Sequence, residues 1–189
     1  MATLDIERVS VEPHGEYPIV GVLNAGQGLF WRESIAGRDT TYKVLHRLKT
    51  GHLVYRKLTA WEGPITVVPP DFEGGFVSTE FPTFTLDESQ ILPEFMALLC
   101  QRPSFWREMR FRSTGTAERR NRLKPSELLA ISIDLPPLAE QGRLVEVGRA
   151  VARAERELAA LRAACAAARE HLLAAAPDDA PHEANRTEP

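Results

Sequence analysis

Nine apolar positions in the last third of this chain restrict its fold more than any other feature. Leu144, Val151, Leu158, Cys165 and Leu172 recur every seven residues, and Val147, Ala154, Leu161 and Ala168 follow the first four by three. Spacings that alternate by three and four put all nine on one stripe of a helix, the pattern of a coiled-coil seam. Pro136 and Pro137 stand where such a helix would begin, and Pro177 stands where it must end. The pattern predicts a helical arm over residues 137–176, starting at Leu138. At about 1.5 Å per residue that arm is roughly 58 Å long, more than a domain of this size needs for its own core. Gly142 and Gly148 fall in its first turns, each costing about 1 kcal/mol relative to Ala, so the helix start is expected to be soft until a partner binds it.

The residues before the arm, 1–136, read as one compact unit of mixed composition. Strands are expected near Val9 and Val11, over Tyr17–Val20, and at Leu53–Tyr55, Ile65–Val68, Phe76–Thr79 and Ile131–Leu135, with turns at Pro69-Pro70 and Gly74-Gly75. Pro93, Pro103 and Pro125 each open a short helix. The expected fold class is therefore α+β: a compact domain followed by one long C-terminal coiled-coil helix. The tail, 177–189, is polar, aperiodic and proline-containing, and is expected to be disordered.

Charge is distributed unevenly. The net charge is only −3, yet residues 102–124 carry eight basic side chains against Glu108 and Glu118, while residues 71–101 carry six acids and no Lys or Arg. Arg112, Thr114, Thr116, Arg119, Arg120 and Arg122 surround Gly115. Guanidinium groups, hydroxyls and exposed backbone N–H groups in one loop are what phosphate and base-edge recognition require. The same segment can equally be a solvated basic face neutralised by the acidic stretch. Arg56 and Lys57 end a strand and should point to opposite faces. Trp61 is expected to pack in the turn that follows.

Catalytic patterns fail on inspection. Gly26-Gln27-Gly28 has no third Gly and no P-loop Lys. Pro70-Asp71 with Glu80-Phe81-Pro82 approaches a nuclease core, but Pro82 stands where its lysine is needed. Asp134-Leu135-Pro136-Pro137 approaches an amino-methyltransferase loop but is one residue too long and lacks the aromatic. The five His and two Cys show no metal-ligand spacing, so no metal, cofactor or catalytic set is expected. No stretch is long and apolar enough to span a membrane and the N-terminus has no signal-peptide pattern, which gives a cytoplasmic expectation.

Gly51-His52-Leu53-Val54-Tyr55-Arg56-Lys57-Leu58 through Trp61-Glu62-Gly63, with Val77-Ser78-Thr79-Glu80-Phe81-Pro82, resembles the target-recognition domain of type I restriction–modification specificity (S) subunits. Gly115-Thr116 followed by Leu123, Leu128 and Ile131 resembles the approach to that domain's end. Leu135-Pro136-Pro137-Leu138-Ala139-Glu140-Gln141 before a long helix resembles the family's spacer. The resemblance covers roughly residues 17–172 and fits a half-length S subunit, with a single recognition domain and a single helix. It implies a non-catalytic protein of a phage-defence system. Such a protein would read one half-site of double-stranded DNA and dock a DNA methyltransferase subunit, with room for a restriction/translocase subunit beside it. Arg56, Lys57, Arg112, Thr114, Thr116, Arg119, Arg120 and Arg122 are its candidate DNA contacts. The competing expectation is a coiled-coil adaptor or regulator that binds proteins and not DNA.

A half-length form implies two copies. Pairing two seams antiparallel about residues 159–160 stacks Val147 on Leu172, Val151 on Ala168, Ala154 on Cys165 and Leu158 on Leu161. Glu155 then lies near Arg162 of the other copy, whereas a parallel pair would join Glu157 to Arg162, so charge does not choose between them. A homodimer is expected, twofold pairs being the commonest assembly.

Overall fold

The computed structural model describes residues 1–115 and 121–175; the segments 116–120 and 176–189 lie outside the described residues. They include Thr116, Arg119, Arg120 and the expected disordered tail. Eleven short strands are present among the described residues: β1 (Ala2–Leu4), β2 (Glu7–Ser10), β3 (Glu16–Tyr17), β4 (Val20–Val22), β5 (Leu29–Trp31), β6 (Ile35–Ala36), β7 (Val44–Arg47), β8 (Leu53–Tyr55), β9 (Ile65–Val67), β10 (Phe76–Val77) and β11 (Thr83–Leu86). Four α-helices follow, α1 (Pro93–Cys100), α2 (Pro103–Arg112), α3 (Pro125–Leu129) and α4 (Leu138–Ala175). The mixed architecture is the α+β class expected.

The strands form an antiparallel sheet of order β1-β11-β8-β9, a second of order β10-β7-β2, and two two-stranded pairs, β3-β6 and β4-β5. The helices α1 and α2 share the largest core with the four-stranded sheet, through Leu53, Tyr55, Ile65, Phe84, Phe95, Leu99, Phe105 and Met109. A second cluster of Val20, Val22, Leu48, Val54, Val68 and Val77 lies beneath Leu29, Phe72 and Phe81. Val54 and its neighbours Leu53 and Tyr55 are all buried, because the strand is covered on both faces. Prolines begin α1, α2 and α3, where a missing N–H costs nothing.

Residues Ile131–Leu135 are not a strand. Their burial alternates as the sequence suggests, with Ile131 buried and Ser132 and Asp134 exposed, but no neighbouring strand supplies a ladder. Alternation reports which side of an extended segment meets the core; it does not supply a hydrogen-bonding partner.

The compact unit extends to Glu146, past the boundary at 136 that the prolines suggest. Gln141, on the first turn of α4, has no exposed surface. Its side-chain oxygen accepts from Leu92 N–H at 2.9 Å, and its nitrogen donates to Gln90 O and Pro136 O, both at 2.9 Å. Val145, one turn later, is also buried. Gly142 sits between them, where an added Cβ would come no closer than 4.0 Å to Leu92. The expected soft helix start is instead clamped by a buried amide whose polar groups are satisfied within the chain.

From Val147 onward the helix forms a separate unit. Val147, Val151, Ala154, Leu158, Leu161, Cys165, Ala168 and Leu172 lie on its stripe, and all eight are exposed, Leu161 to 61% and Leu172 to 71%. Leu144, the first seam residue, is exposed too, roughly a quarter of a turn or less from the buried Gln141 and Val145. Over its 38 residues the helix runs about 57 Å. No helix of the described residues is long and apolar enough to cross a membrane.

Candidate nucleic-acid interface

The end of β8 and the chain around residue 122 form one structure. Thr114 and Arg122 exchange backbone hydrogen bonds of 3.0 and 2.9 Å, closing the stem of the glycine-containing loop. The stem continues onto β8, since Leu123 N–H donates to Lys57 O at 3.0 Å and Thr59 N–H donates to Asn121 O at 3.1 Å. Beneath it the Tyr55 hydroxyl donates to Leu123 O at 2.8 Å. Burial, and secondarily the charge of Glu80, push that phenol above its ordinary range, so it stays a donor. Arg56, Lys57, Thr114 and Arg122, distant in sequence, thus meet at one edge of the compact unit, with Arg112 at the end of α2.

Arg56 and Lys57 point apart, as strand geometry requires. Arg56 enters a polar cluster: it donates to Glu62 at 2.7 Å, to the Thr59 hydroxyl at 2.7 Å, to the Asn24 side-chain oxygen at 3.2 Å and to Leu58 O at 3.0 Å. The cluster holds a strained turn. Thr59 has φ 53°, unusual for a β-branched residue, and Gly63 has φ 70° against the Trp106 ring, where any Cβ would clash. Lys57 lies on the other side, 3.8 Å from Glu80 Oε1, and Arg122 reaches the same oxygen at 3.3 Å. Arg112 lies 4.0 Å from Glu108. The four described candidate cations therefore face three carboxylates, which offset most of their charge.

In the sequence, Glu62 reads as part of a turn and Glu80 as a remnant of a broken nuclease motif. Neither carries a local signal of its cationic partner, because each pairing is made across elements. Trp61 packs as expected, partly buried with the Arg110 guanidinium 5.6 Å from its ring centre. Phe111, 86% exposed beside Arg112, Thr114 and Lys124, has no sequence signal that would single it out. Among the described residues, no His, Cys, Asp or Glu side chains group into a metal-binding set.

Neither a scan of protein-family models nor a search of curated proteins finds a match. Solved structures do match. The chain is similar to the HsdS subunit from Thermoanaerobacter tengcongensis, with a TM-score of 0.69 and 23% identity, over 89% of this chain and 44% of that one. It is also similar to a chain from work on complex assembly and conformational transition of the type I R-M system, with a TM-score of 0.65 and 21% identity, over 99% of this chain and 53% of that one. The chain thus spans about half the length of these structures and shares their fold.

Proposed function

We propose that this HsdS-like chain is a specificity subunit of a type I restriction–modification system. It reads one half-site of double-stranded DNA with Arg56, Lys57 and the basic and hydroxyl residues from Arg112 to Arg122. It pairs with a second copy through the seam and docks a DNA methyltransferase subunit, performing no chemistry of its own. The observation that carries the proposal is the HsdS fold over nearly the whole chain, combined with an apolar helical stripe that is open to solvent in the single chain. Antiparallel pairing suits a bipartite target, because it sends the two recognition domains to opposite ends of the helical pair.

The test is a mobility shift of the purified chain on mixed-sequence duplexes, with and without a methyltransferase subunit, across a salt series. Binding should weaken with salt at about 0.9 in log–log slope per neutralised phosphate. Absence of duplex binding under every condition would sink the proposal. The chain alone should neither cleave nor methylate DNA nor hydrolyse ATP.

One observation favours the adaptor reading: each described cation of the candidate surface already has a carboxylate partner. An adaptor would show seam-dependent protein complexes with no salt-dependent duplex binding, which the same titration separates.

A further inference from the structure

We propose that Glu80 sets the stringency of DNA recognition by holding Lys57 and Arg122 as their internal counter-ion. The inference rests on the DNA-reading function above. It assigns to a carboxylate the part of rejecting duplexes that lack the right bases.

The two carboxylates at the loop stem are held differently. Glu62 meets Arg56 within a cluster that also ties Thr59 and Asn24, and it supports a strained turn. Glu80 has no such scaffold around its side chain. Its backbone is fixed, with Lys57 N–H donating to Glu80 O at 2.9 Å and the Ser78 hydroxyl accepting from Glu80 N–H at 3.4 Å. Its carboxylate sets one oxygen against both cations, and the other oxygen is buried without a hydrogen bond. Arg122, more than half exposed, is the rim member of the trio and also the residue that closes the loop.

A phosphate reaching Lys57 and Arg122 must therefore approach a carboxylate that neutralises half of their charge. On a duplex of arbitrary sequence nothing offsets that like-charge encounter, and the two cations add little. On a duplex whose base edges engage the compact unit, those interactions supply the energy to pull Arg122 and Lys57 off Glu80 onto the backbone. Repulsion built in against the wrong partner is how an interface gains discrimination without added affinity. Glu80 acts through the two cations and is a positioning residue.

The experiment compares the full-length chain with Glu80→Gln and Glu80→Asp. Random-sequence duplex is titrated over a salt series, and bound molecules from a random duplex pool are sequenced. Glu80→Gln should bind random duplex roughly tenfold more tightly, with a salt slope steeper by about 0.9 to 1.8, and should select a less restricted set of sequences. Glu80→Asp, which keeps the charge, should restore both. Arg122→Gln provides a measurement independent of the Glu80 variants: it should weaken binding to the selected site by a clearly larger factor than binding to random duplex. Unchanged slope and selection in folded Glu80→Gln, or equal losses on both duplexes in Arg122→Gln, overturns the inference while leaving the DNA-reading function standing. Failure of wild type and all variants to bind any duplex removes that function, and the inference with it.

Discussion

In the compact unit, Tyr55, Phe84, Ile91 and Met109 are fully covered, and the candidate cations Arg56, Lys57, Arg112 and Arg122 face carboxylates from the same unit. In the helix beyond Val147 the reverse holds: Val151, Leu158, Leu161 and Leu172 are open to solvent on one stripe. The two regions meet in α4, whose buried Gln141 serves the domain and whose exposed Leu144 begins the seam. The difference teaches that the domain covers its own apolar side chains within the single chain, whereas the helix leaves its apolar stripe uncovered. An isolated helix gains little from propensity alone and needs its apolar stripe covered. A surface of self-paired charges is suited to conditional contact, and an uncovered apolar stripe to permanent contact.

The sharpest way to break this comparison is to charge the seam. Leu158→Glu with Leu161→Glu should turn a dimer into a monomer by sedimentation, while leaving the compact unit folded. A wild-type chain that is monomeric at micromolar concentration would remove the contrast altogether. Cys165 sharpens the same point. Antiparallel pairing sets the two copies of Cys165 about eleven residues apart along the seam, roughly 16 Å, beyond disulfide reach. Mild oxidation should not crosslink wild type through Cys165, and Ala154→Cys should crosslink to Cys165 of the other copy. Crosslinking of wild type that disappears in Cys165→Ser would establish a parallel pair.

Gln141→Leu tests the junction. It would leave Leu92 N–H, Gln90 O and Pro136 O without their partner, and a drop of about 3 kcal/mol in urea unfolding is expected. Dimerisation through residues beyond 147 should survive below the unfolding midpoint.

Arg119→Ala with Arg120→Ala tests the conditional surface. The effect is smaller, about tenfold in duplex affinity, and the salt slope should become shallower by about 0.9 for each phosphate no longer neutralised. Unchanged binding in a folded double variant would restrict DNA recognition to the stem.

The smallest expected effect concerns His46. It is buried, with Nδ1 3.0 Å from Phe81 O, and burial holds its pKa below the ordinary 6.5. The unfolded chain therefore binds a proton more readily than the folded one. Stability should be full above about pH 6.5 and should decline as pH falls through the lowered folded value. His46→Gln should flatten that decline in pH-dependent thermal unfolding, and an unchanged profile would show that His46 is not its source.

The long helix is legible in the sequence because its information is periodic and local: the seam spacing and the flanking prolines can be read without knowing any tertiary neighbour. The same holds for α1, α2 and α3, each announced by a proline, and for the buried strand Leu53–Tyr55. The Ile131–Leu135 segment misleads because alternation records burial, whereas a strand also needs a neighbour. The candidate surface is half legible. Clustered arginines around Gly115 are visible as composition, and the family resemblance draws Arg56 and Lys57 to them. What the charges do there is not visible, because Glu62 and Glu80 reach their partners across a turn and a sheet. Gln141 shows the limit most clearly: an amide in a polar sequence context, it becomes a buried clamp only when Gln90, Leu92 and Pro136 are folded around it. Sequence by itself determined where the helices begin and which stripe of α4 is apolar, since both follow from backbone chemistry and period. Tertiary structure decided which charges are spent on one another and where the domain ends on the helix, since those depend on distances between residues far apart in the chain.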